Sequence, residues 1–170
     1  MNATHALIQS DRFPFVWSEE PDRDPPPGRE FAQALLEQLG RSGASPRHPK
    51  VEDDDWEHSS WFFWVAWHSQ EFQIDVEPSP HDTTPPSWHI GITRKRGVFR
   101  AILGGRESRF DVPDEVLRAV AAALQHTAGC GAFAWITEDQ AVDTLWGRQA
   151  AQEGGQQKNV FKKRNVDNLE

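Results

Sequence analysis

The sequence predicts an α+β fold: a single antiparallel sheet of about five to six strands, with two or three helices packed mainly on one face. Three observations carry this. Phe72, Ile74 and Val76 alternate with Gln73, Asp75 and Glu77, the period of a half-buried strand. Trp61 to Trp67 is apolar on both alternating sets, as a central strand covered on both sides would be. Helical periodicity appears only on either side of the strand-rich middle, which segregates helices from strands and argues against alternating βαβ units.

The elements follow in the order β-α-β-β-β-β-α-β-α. Residues 1–10 show no period and are expected to fray. The run 12–17 is apolar but carries Pro14, which has no N–H, so an edge strand is expected there. Residues 19–28 include three consecutive prolines and read as loop. Phe31, Leu35, Leu36 and Leu39 share one helical face that ends near Gly40.

Strands are expected at 61–67, 71–77, 88–93 and 98–103, forming a meander. Asp111 is placed to cap a helix, with Pro113 in its first turn and Val116, Leu117, Val120, Ala121 and Leu124 as its stripe. Gly129 stops that helix, and Ala132–Ile136 reads as a further strand. Thr137 and Gln140 have capping-box spacing for a short last helix. The expected domain is 11–148, with flexible termini at 1–10 and 149–170.

The formal charge of −8 argues against general nucleic-acid binding, which depends on neutralising phosphates. One cysteine, Cys130, fits a reducing compartment and excludes an intramolecular disulfide. The N-terminal residues have neither the basic start nor the apolar core of a secretory leader. The longest apolar run, 61–67, is far short of the roughly 20 residues of a membrane helix. A soluble, cytoplasmic, bacterial-type protein is therefore expected, with no cofactor, no metal and no membrane contact.

No catalytic or cofactor motif is present. His58, His68, His81 and His89 lie near acidic residues but lack HExxH or Cys–His spacing. Cys130 precedes a predicted strand, so it lacks the helix N-terminus that would activate a thiol. Gly104 and Gly105 do not complete a phosphate-binding loop.

What stands out is aromatic and charged surface. Eight tryptophans and no tyrosine are more indole than a core this size requires, and indoles anchor interfaces. Acid gathers at 19–24 and 52–57, and Arg94 to Arg109 forms a basic hairpin. The favoured expectation is a non-catalytic protein-binding module, of the immunity-protein or secretion-chaperone type by size and charge. Its partner would be a protein, basic or a second copy of the chain. The binding residues would be Asp53, Asp54, Asp55, Trp56 and Glu57 as a polar rim, with Trp64 and Trp88 as apolar anchors. The alternative is a small hydrolase or metal-dependent enzyme using His58, His68 or His89 with a carboxylate. A third reading is a nucleic-acid binder through Arg94–Arg109.

Overall fold

Alternation and helical period place the elements of the computed structural model, in which residues 3–16, 25–46, 51–53, 60–79, 85–95 and 111–145 are described. The strands are β1 (His5–Gln9), β2 (Ser45–Pro46), β3 (Glu52–Asp53), β4 (Trp61–Trp67), β5 (Gln70–Pro78) and β6 (Ser87–Arg94). The helices are α1 (Arg29–Arg41), α2 (Asp114–Ala128) and α3 (Glu138–Leu145). They form an α+β fold on one antiparallel sheet in the order β1-β6-β5-β4-β2, with β3 also on β4. Four of these strands are of full length; β2 and β3 are pairings of two residues each.

The alternation of β5 becomes a division between faces. Phe72, Ile74 and Val76 are fully buried, level with Phe63, Val65, Ile90 and Ile92 on the neighbouring strands. Ala6 and Ile8 of β1 extend this inner face. Burying each large side chain contributes roughly 1.5–3 kcal/mol. α1 covers the inner face with Phe31, Ala32, Leu35, Leu36 and Leu39, and α2 packs on α1 with Val116, Val120, Ala123, Leu124 and Ala128. The β4–β5 hairpin turns on His68-Ser69, where His68 takes φ 53°, the left-handed first position that suits a two-residue loop.

Helix ends follow local chemistry. α1 begins at Gly28, whose φ of 109° and closeness to Trp88 exclude a side chain: a Cβ would lie 2.5 Å from the indole Cζ3. α1 runs through Gly40 and stops only after Arg41, with Gly43 at φ 97°. α2 ends at left-handed Gly129, and its last carbonyls are capped from β1's end of the chain. Ser10 Oγ donates to Ala128 O at 2.6 Å, and the Arg12 guanidinium donates to His126 O at 2.9 Å. A cation at this negative helix end is favourable. α3 has the expected reciprocal cap, in which Thr137 N donates to Gln140 Oε1 and Gln140 N donates to Thr137 Oγ1.

Several expectations are corrected. The first strand is at His5–Gln9, inside the stretch expected to fray, and it pairs along its whole length with β6. Residues 12–16 form no strand. Phe13 instead stacks on Phe31 with ring centres 4.6 Å apart, and Phe15 meets Trp88 edge-on at 4.8 Å. The segment 132–136 is not a strand; only Ile136 bridges to His5. α2 begins at Asp114 with Pro113 as its N-cap residue, so Asp111 lies ahead of the cap. The expected strand at 98–103 and the tail at 149–170 fall outside the described residues.

Candidate interaction face

Residues of one parity on each strand point away from α1 and build the outer face. Register sets them in rows. His5, Gly91, Asp75 and Phe62 lie side by side across four strands. Next to them run Leu7, His89 and Glu77 on one side, and Thr93, Gln73 and Trp64 on the other. The face thus has an aromatic side at Phe62 and Trp64, an acidic strip along β5, and a histidine corner. Among the described helices, α1 is the one in extensive contact with β4 and β5, and it lies on the inner face. Phe62, Trp64, Glu71, Gln73, Asp75 and Glu77 are all partly exposed.

Trp64 lies half-buried on this outer face. The Lys95 ammonium lies 5.2 Å above its ring and 2.7 Å from Glu71 Oε2. An ammonium over an indole adds an attraction of about 0.5–1 kcal/mol at an exposed site. Gln73 Nε2 donates to Asp75 Oδ1 at 2.6 Å, which orients the carboxylate along the strip.

Trp88 is corrected: it is 1% exposed, so it is a core residue and not a surface anchor. Its parity puts it beneath the sheet, edge-on to Phe31 at 5.1 Å. Its indole also closes the floor of a cavity of about 450 Å³ between Phe13–Phe15 and Pro25–Arg29. Trp61 shares that floor and donates its Nε1 hydrogen to Pro26 O at 2.7 Å, with the Arg29 guanidinium 5.7 Å from its ring. Asp53 lies in β3 opposite Trp61. Asp54, Asp55, Trp56, Glu57 and His58 lie outside the described residues, as do 96–109 of the basic segment.

The histidines separate. His68 is a hairpin residue, its side chain 76% exposed and 3.5 Å from Glu115 Oε1. His89 is 9% exposed and has both ring nitrogens engaged: Nδ1 is 3.1 Å from Glu77 Oε2, and Nε2 is 3.0 Å from His5 Nδ1. Sequence reasoning missed His5 because it lay in the stretch read as frayed. The signal that finds it is the weak alternation of Ala6 and Ile8 against His5, Leu7 and Gln9. Among the described residues, no three His, Cys, Asp or Glu side chains converge as metal ligands. Burial pushes the Cys130 thiol up, against a smaller lowering by a backbone hydrogen bond, the opposite of an activated nucleophile. No helix among the described residues is long and apolar enough to cross a membrane.

The described residues define an α+β protein on one antiparallel sheet, with α1 on its inner face and, on the other, a partly exposed aromatic and acidic side beside a buried histidine corner. Comparison of the chain with protein-family models, with curated proteins and with solved structures finds no match in any of the three.

Proposed function

We propose that the chain is a non-catalytic binding module that docks a basic protein on the outer face of its sheet. The observation that carries this is the juxtaposition of Phe62 and Trp64 with Glu71, Asp75 and Glu77 on a face that α1 does not cover. Aromatic side chains supply the apolar anchors of interfaces. Carboxylates beside them, in a chain of charge −8, steer a cationic partner and fix its orientation. Lys95 is held by Glu71 and Trp64, and Asp75 and Glu77 continue the acidic strip along the same strand.

The hydrolase reading is less well supported. His89 does meet a carboxylate, but neither of its ring nitrogens is left to exchange a proton with a substrate. His68 has the exposure but only a loose surface contact. The test compares the wild type with Trp64→Ala and Asp75→Asn as baits in extract of the source cell. The expected result is a stoichiometric partner of basic isoelectric point. It should be lost from both variants while their melting temperatures stay within a few degrees of the wild type. A partner held equally by all three baits, or an acidic one, overturns the reading.

A further inference from the structure

Beneath the sheet, where α1 begins, lies the cavity of about 450 Å³ that Trp61 and Trp88 floor. Both indoles belong to the inner face, since Trp61 shares the parity of Phe63 and Trp88 that of Ile90. The cavity is therefore separate from Phe62 and Trp64, and its role stands or falls apart from the docking of a basic protein. An apolar cavity of roughly 150 Å³ takes a benzene ring. About three times that volume holds a ring together with a short chain, and it falls within the roughly 300–1,000 Å³ of small-ligand sites.

The walls are flat rings held in place by one another. Phe15 meets Trp88 edge-on at 4.8 Å, and Phe13 stacks on Phe31 at 4.6 Å. Trp88 and Phe31 are buried, while Phe13 and Phe15 are partly exposed. Rings fixed in this way have little side-chain entropy left to lose when a ligand packs on them. Val16, at the rim, is 90% exposed, an apolar side chain held in water beside an apolar opening.

The polar groups are few, and they favour a negative charge. The Arg29 guanidinium lies 5.7 Å from the centre of the Trp61 ring. Among the described residues it has no carboxylate partner and no hydrogen bond, unlike Arg12, which donates to His126 O and Thr127 O. A guanidinium offers paired donors to a carboxylate and holds it more strongly than it holds a neutral acceptor. Gly28 sets the first turn of α1 against the Trp88 ring, since no Cβ intervenes. The first backbone bond of α1 runs from Ala32 N to Gly28 O, and Gly28 supplies no side-chain cap. The amides of Arg29, Glu30 and Phe31 therefore face out of the helix start, where the macrodipole is positive. Glu30 is the one carboxylate among the described lining residues, set against the guanidiniums of Arg12 and Arg29, and it is exposed to water.

We propose that this cavity binds a small aromatic carboxylate, with its ring against the indole and phenyl walls and its carboxylate on the Arg29 guanidinium. The walls select an aryl group, and the guanidinium selects the acid over the corresponding alcohol or amine. The helix start adds to that selection and does not carry it alone.

The test titrates phenylacetate, phenylethanol and phenylethylamine into the full chain. Magnetic resonance follows the Gly28 amide and the Trp61 indole N–H, which is bonded to Pro26 O at 2.7 Å. Phenylacetate should shift both signals and saturate below about 5 mM. Phenylethanol should bind about tenfold more weakly, the effect of losing one charge-assisted hydrogen bond. Arg29→Gln should weaken phenylacetate by the same factor of about ten and leave phenylethanol unchanged. Arg29 is exposed and makes no hydrogen bond among the described residues, so the variant should melt with the wild type. If it does not, the order of the three probes on the wild type decides. No saturable shift, an alcohol or amine bound as tightly as the acid, or an acid preference that survives Arg29→Gln overturns the proposal.

Discussion

Replacing Gly28 with alanine makes two separate demands on the fold. Its φ of 109° is a backbone state that costs an L-residue about 1–2 kcal/mol. Its new methyl would also lie 2.5 Å from Trp88 Cζ3 and 2.9 Å from Cη2, atoms of a ring locked between Phe15 and Phe31. Forcing a carbon into such a packed site costs typically about 1–3 kcal/mol. Alanine restricts the unfolded chain and returns about 0.4–1 kcal/mol. The net expectation is a loss of about 2–4 kcal/mol, a large share of the roughly 5–15 kcal/mol typical of a domain.

Gly43 supplies the control. Its φ of 97° makes a similar backbone demand, but nothing lies within 4 Å of its Cβ position. Gly43→Ala should cost only about 0.5–1.5 kcal/mol. Urea unfolding, with the slope checked for constancy, reads both values. Trp88→Phe removes the ring that carries Cζ3, so in the double-mutant cycle it should couple favourably with Gly28→Ala by at least about 1 kcal/mol. Equal costs at Gly28 and Gly43, or no coupling, would refute the claim that the start of α1 is pressed against the indole.

Two further changes test other parts of the structure. Arg12→Ala should lower stability by about 1 kcal/mol in urea titration, because the last carbonyls of α2 lose their cation, and Arg12→Lys should recover part of it. The Cys130 thiol, pushed up by burial, carries less thiolate than an ordinary thiol at neutral pH. Its alkylation should therefore be slower than that of glutathione at about pH 7.5, and should gain speed only above the usual cysteine range near 8.5.

What the sequence disclosed and what it hid follow from how strongly each segment marks its faces. β5 was legible because Phe72, Ile74 and Val76 alternate with charged or amide side chains, and α1 because four large apolar residues share a stripe. The cap of α3 was legible because Thr137 and Gln140 encode it locally. β1 was not. Its inner residues are Ala6 and Ile8, its outer ones include Leu7, and the contrast between faces is too small to show a period of two. The run 12–16 misled for the opposite reason. Phe13 and Phe15 alternate as strand residues do, yet they serve as plugs over Phe31 and Trp88. Trp88 showed that an indole on an alternating strand belongs to either face until the register is known. The histidine pair spans 84 residues of chain, so no local spacing could announce it.

The two edges of the sheet bear on how this protein meets others. An open strand edge invites pairing with another chain, and proteins blunt it with short strands, prolines and covering segments. β4 is blunted by two-residue strands, one of which ends in Pro46, a residue with no N–H to donate. At the other edge, Ile136 takes both backbone groups of His5, and what lies beyond on β1 is the short stretch Leu7–Gln9. Strand addition is therefore discouraged at both ends, while Phe62 and Trp64 are partly exposed on the flat of the sheet. This favours association through side chains on a face over association through backbone on an edge.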